Sequence, residues 1–214
     1  MPDAGAALLP AEVTSLTCPR CWFPAASFIP IGALTFRCTR CEWPFVLAAP
    51  SLSAAPAFPL TTVVVTNPYP TVIAATITLN GATITGFYVN GVSAGTTAGA
   101  YLIPAGGTFS ATYTTASPTW AWALPATSAS VVAGGTALTF APTGTSVAFA
   151  LGQVLIVDPA GTSDVVTVNG TPTATSVPVN SLNSAHNSAV LVAVAALTPA
   201  FSGTGLENVP KTSY

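Results

Sequence analysis

From Trp43 to Val157 the chain carries no Asp, Glu, Lys, Arg or His. Polarity there comes from threonine instead, of which the whole chain has 32. Threonine is β-branched and suits a pleated, half-exposed surface. Within the same run, Pro, Gly and Asn-Gly punctuate every apolar stretch, and no segment of helical length escapes them. The expected fold class is all-β: a small zinc ribbon followed by two antiparallel β-sandwich or barrel units.

Turn chemistry divides the run into strands. "TTVVVT" stops at "NPYP", "TVIAATITL" runs into Asn80-Gly81, and "ATITGFYV" runs into Asn90-Gly91. Asn-Gly between alternating apolar runs is the strongest short hairpin signal, because both residues must adopt positive φ. "AYLIP", "TFSATYT" and "SPTWAWALP" continue the meander. Residues 60–124 therefore read as one β-sandwich or barrel. Residues 125–200 read as a second β unit, with "GQVLIVD", the turn "DPAGTSD", "VVTVNG" and a last strand "AVLVAVAAL". Residues 48–59, "AAPSLSAAPAFP", read as a Pro/Ala/Ser linker. An arm, 1–15, and a tail, 201–214, flank these parts.

The chain's chemistry is concentrated in residues 16–47. Cys18 and Cys21 form one Cys-x-x-Cys pair and Cys38 and Cys41 another, with 16 residues between the pairs and no other cysteine. That spacing matches a four-cysteine zinc site. Arg20, Arg37 and Arg40 each precede or lie one residue from a cysteine, and nearby cations favour deprotonated thiols. Two disulfides are the rival reading, disfavoured because no export signal points to an oxidising compartment. A catalytic zinc keeps an open position, whereas four cysteines close the shell. The segment resembles a zinc ribbon, and the resemblance implies a structural Zn²⁺ held by Cys18, Cys21, Cys38 and Cys41.

Other functions find little material. A net charge of −2 gives no basic field for nucleic acid or anionic lipid. The longest apolar run, residues 189–197, is far short of the roughly 20 residues of a membrane span. The first ten residues lack the basic region of a signal peptide, so a soluble protein is expected. His186 is the sole histidine; with no carboxylate beside it in sequence, it is expected to bond loop backbone. A triad of Ser163, His186 and Asp164 lacks the supporting G-x-S-x-G context. Asp158 and Asp164 bracket a turn, where Asp bonds its own backbone, with a weak calcium site as the alternative. Trp120, Trp122, Tyr88, Tyr101 and Tyr113 are candidates for a glycan-binding or interface face, or for core packing. No enzyme activity is expected.

"VTNPYPTVIAATITLNGATITGFYVNGVSAGTTAGAYLIPAGGTFSATYTTASPTWAW" resembles β domains of virion proteins of tailed bacteriophages, especially those infecting actinobacteria. "GQVLIVDPAGTSDVVTVNG", with "SVPV" and "AHNSAVLV" beyond it, is similar to a small β module of phage capsid-associated and fibre-like proteins. The resemblance implies a capsid decoration or cement protein, bound in many copies to the major capsid protein and to copies of itself as a trimer or pentamer. It would be assembled in the host cytoplasm and sit on the virion surface. The alternative it implies is a fibre-like or tail-associated adhesin for host glycans. Neither reading needs nucleic acid or membrane.

Overall fold

The computed structural model describes residue 18 and residues 20–22, 28–31 and 34–199. The arm 1–15 and the tail 201–214 lie outside the described residues. Among those described there is no helix, and so none long and apolar enough to cross a membrane. The chain is all-β, built from antiparallel sheets. It divides into two compact units, Ala48–Ala196 on one hand and the residues flanking that span on the other.

The flanking unit is a four-stranded sheet. Its strands are β1 (Phe28–Pro30), β2 (Thr35–Cys38), β3 (Pro44–Ala48) and β16 (Ala196–Pro199), in that spatial order. In β2 and β3 the side chains alternate, so Phe36 and Phe45 are directly paired and both buried. The expected last strand, residues 189–197, is divided: Val192–Val194 belongs to the body, whereas β16 joins the ribbon sheet.

The body, Ala48–Ala196, begins with a sandwich. One layer has the order β10-β5-β8: β5 is Ile73–Thr78, β8 is Gly99–Ile103 and β10 is Thr119–Ala123. The other has the order β4-β9-β6-β7: β4 is Val65–Thr66, β6 is Thr83–Val89, β7 is Val92–Gly95 and β9 is Thr108–Thr114. Between the layers lie Ile73, Ala75, Ile77, Phe87, Tyr101 and Phe109, every one buried. Strand alternation sends the intervening residues outward, and they are mostly threonine and alanine: Thr76 and Thr78 on β5, Thr119 and Ala121 on β10, Thr114 on β9. Both Asn-Gly pairs form the expected turns, with φ of 50° and 82° at Asn80-Gly81 and 51° and 76° at Asn90-Gly91.

The rest of the body adds β11 (Ala137–Thr139) paired with β14 (Ser176–Pro178), and β12 (Val154–Val157) between β13 (Asp164–Thr167) and β15 (Val192–Val194). All four residues of β12 are buried, as an inner strand covered on both faces requires. Its core joins Leu138, Phe140, Phe149, Leu155, Val166, Val177 and Val192 with Val72 and Leu102 from the sandwich side. The Val194 amide also donates to Thr71 Oγ1 at 2.8 Å. The two halves expected at 60–124 and 125–200 thus share apolar packing inside one unit.

Residues 49–60 form no regular element, yet they pack. Leu52 and Phe58 lie against the sandwich core, the Trp120 indole N–H donates to Pro56 O at 2.8 Å, and Tyr69 bonds Ser53. Composition alone shows the absence of a ladder, but not this lateral packing.

Candidate metal centre

The two Cys-x-x-Cys turns are built alike. The amide of Trp22 donates to Cys18 O at 2.8 Å, and that of Glu42 to Cys38 O at 2.9 Å. Trp22 and Glu42 both take positive φ, 58° and 57°, a region that favours glycine. Each turn thereby bends its two thiols toward the same point. Cys18 and Cys38 are buried, Cys21 and Cys41 half-buried.

All four sulfurs lie within 4.8 Å of one another. Cys18 Sγ is 3.6 Å from Cys41 Sγ, and Cys21 Sγ is 3.6 Å from Cys38 Sγ. Those separations far exceed the roughly 2.05 Å of a disulfide bond, so no cysteine is disulfide-bonded in this structure. A tetrahedron with metal–sulfur bonds of about 2.3 Å has sulfur–sulfur edges of about 3.8 Å. The four cysteines therefore fit a closed metal shell. Among the described residues they are the one group of three or more candidate ligands that comes together for a metal.

Crowding divides the protons among these thiols. Burial pushes the Cys41 thiol up to about 12, against the N–H of Trp43 that works the other way, and the neighbouring thiols of Cys18, Cys38 and Cys21 push it further. Burial also pushes Cys38 upward, but the backbone N–H groups of Cys41 and Arg40 and the thiols of Cys21 and Cys41 outweigh it and hold Cys38 below the ordinary cysteine value. The two thiols are thus driven apart, Cys38 below and Cys41 above the ordinary cysteine value. A cation at the centre replaces those protons and lets all four thiolates coexist. Of the three neighbouring arginines, Arg20 stacks its guanidinium 4.2 Å above the Trp43 ring, a cation–π contact that holds positive charge beside the knuckle.

The aromatic candidates do not form one surface. Tyr101 is buried, and Trp120, Trp122 and Tyr113 pack partly buried against the same sandwich core. Trp120 lies 5.0 Å from Phe58 and 5.1 Å from Trp122, ring centre to ring centre. Tyr113 donates its hydroxyl to Pro59 O at 3.1 Å. Tyr88 points the other way, its ring folded over Gly86, where a Cβ would come within 2.6 Å of the hydroxyl.

His186 departs from expectation. Its backbone pairs with Val131, but its buried ring meets two carboxylates: Nε2 is 3.1 Å from Asp164 Oδ2, and Nδ1 is 3.9 Å from Asp158 Oδ2. Sequence separation of more than 20 residues hides that meeting, which follows from the β12–β13 hairpin lying beside the 181–189 loop. Asp164 Oδ2 also accepts the Ser184 amide at 2.8 Å. Ser163 does not join His186; its hydroxyl donates to Asp158 O at 2.9 Å.

No protein-family model, curated protein or solved structure matches the chain.

Proposed function

We propose that the protein is a non-enzymatic virion structural protein, a decoration or cement protein that binds in many copies to a bacteriophage capsid. One observation carries this reading. The only Asp, Glu, Lys, Arg or His residues of Ala48–Ala196 are Asp158, Asp164 and His186, and they face one another. The body's outer surface is left almost free of charge, while Leu60, Val64, Val92, Val132 and Leu151 are each more than half exposed. Such a surface has little repulsion to keep copies apart and much apolar area to bury. Binding many capsomer junctions with it stabilises the assembled shell by mass action. In this reading the four cysteines hold a structural Zn²⁺, which ties the two knuckles together and supplies no chemistry. The resemblance to phage virion β domains directs the proposal to a capsid rather than to another assembly.

The test is stoichiometry. Quantitative gels of purified virions should find the chain in hundreds of copies per particle, retained through a salt series that screens charge but leaves apolar contacts. A dozen copies or fewer, or release by moderate salt alone, would overturn it.

A further inference from the structure

Asn-Gly occurs three times in the chain, at Asn80-Gly81, Asn90-Gly91 and Asn169-Gly170. The dipeptide carries its own chemistry. A glycine after asparagine has no side chain to shield its backbone nitrogen, which can close a five-membered ring on the asparagine side chain. All three asparagines are exposed, so burial does not separate them. Their restraints do.

Asn80 and Asn90 are held at both backbone and side chain. Each takes positive φ, 50° and 51°. The Ala82 amide closes the first turn on Leu79 O at 2.9 Å, and Val89 pairs with Val92 across the second. Asn80 Nδ2 donates to Thr119 Oγ1 at 2.9 Å, and Asn90 Oδ1 accepts the Thr108 amide at 2.8 Å. Asn169 lies beyond the end of β13, outside any strand and outside the left-handed region. Its own amide donates to Pro178 O at 3.1 Å. Among the described residues no hydrogen bond reaches its side chain or the Gly170 amide. Ring closure swings the glycine nitrogen about the asparagine Cα–C bond toward Cγ. A closed turn and a tethered side chain oppose that swing. At position 169 the anchored side is the one before Cα, and the bond that must rotate leads into the loop 170–175.

We propose that Asn169 is a self-modification site, where the fold permits a deamidation that it withholds from Asn80 and Asn90. The Gly170 nitrogen gives its proton to hydroxide and bonds to Asn169 Cγ. The Cγ–Nδ2 bond breaks, and Nδ2 leaves as ammonia with a proton taken from water. Water then opens the succinimide at either carbonyl, leaving aspartate or isoaspartate at position 169. Water is consumed and ammonia released, with nothing oxidised or reduced. The consequence is electrical. The new carboxylate takes the net charge from −2 to −3. It stands exposed on a body whose other acids, Asp158 and Asp164, face His186. The chain thereby turns itself, without an enzyme, into a more acidic form, whatever the body binds.

The test follows the three sites side by side in the full-length protein. The folded chain is aged in mildly alkaline buffer and digested, and the converted fraction at each Asn-Gly is read by mass spectrometry. Asn169 should convert about tenfold faster than Asn80 or Asn90, since orientation of the attacking atom sets the rate. In urea, with the turns gone, the three rates should draw together. Asn169→Gln should remove the main acidic species on ion exchange and leave the other two sites unchanged. An Asn169 that converts no faster than the others in the folded chain, or the same ranking kept in urea, overturns the proposal. A main acidic species that survives Asn169→Gln overturns it as well.

Discussion

The flanking unit and the body hold their strands together by opposite means. In the flanking unit the described buried apolar side chains are few, Phe36, Phe45 and Leu47 beside Cys18 and Cys38, and four sulfurs converge on one point. In the body no cysteine exists; two apolar clusters run through it, and the side chains of the buried Asn67, Asp164 and His186 find hydrogen-bond partners. The difference is one of size. A short segment covers little apolar surface to offset chain entropy, and a metal held by the four cysteines would supply what packing does not. A longer segment buries enough apolar surface to do without disulfide or metal.

The largest expected effect breaks the comparison at the ribbon. Cys38→Ser, or removal of the metal by a chelator, takes away a binding free energy of about 10–16 kcal/mol for a structural zinc. The ribbon's amide signals should collapse to unfolded positions while those of residues 48–196 stay dispersed. Elemental analysis should find one zinc per native chain. Retained ribbon signals after chelation would show that apolar packing suffices there, and the contrast between the units would fall.

How legible each unit was follows from the range of its contacts. The convergence of the four cysteines could be read because cysteine spacing is local: two turns of four residues each place their own thiols, and the pairs are only 16 residues apart. The Asn-Gly hairpins were legible for the same reason, since positive φ at adjacent residues is a property of the dipeptide. What escaped reading was everything set by distant pairing. His186 finds its acids through a hairpin more than 20 residues away. The 48–59 segment looks like a free linker until Phe58 meets Phe109 and Trp120 across the fold. The apolar run 189–197 reads as one strand, yet its two ends serve different sheets, because β alternation says which face a residue takes and not which neighbour it pairs with.

A smaller effect tests the matching of polar groups in the body. Asn67 is 2% exposed. Its amide nitrogen lies within hydrogen-bond range of three carbonyls, those of Thr71 at 2.8 Å, Ile103 at 3.2 Å and Pro104 at 2.8 Å, and its oxygen accepts the Tyr69 amide at 3.0 Å. The side chain thus anchors the "NPYP" turn to the end of β8. Asn67→Ala leaves buried carbonyls without donors and should cost about 3 kcal/mol by urea denaturation. Asn67→Asp should cost at least as much, because a carboxylate cannot donate to those carbonyls. Near-neutral values for both would mean that the turn is held by packing alone.

The smallest expected effect concerns pH. Tyr101 is 1% exposed in the sandwich core, its hydroxyl donating to Thr97 O at 2.7 Å. Burial pushes its ionisation above the ordinary tyrosine value, against the lowering influence of Thr97. A group whose folded value is raised binds its proton more tightly in the folded state. Its stabilisation is therefore complete below the unfolded tyrosine range, near pH 10, and is lost as pH climbs toward the folded value. The wild-type body should accordingly weaken in the alkaline range between those two values. Tyr101→Phe should lose about 1 kcal/mol at neutral pH with its hydrogen bond, yet show a shallower alkaline decline because nothing at that position ionises. Urea midpoints measured from neutral pH to about pH 11 separate the two contributions. Parallel curves for wild type and Tyr101→Phe would place the alkaline sensitivity elsewhere, and would remove the buried hydroxyl from the polar groups whose matching holds the body together.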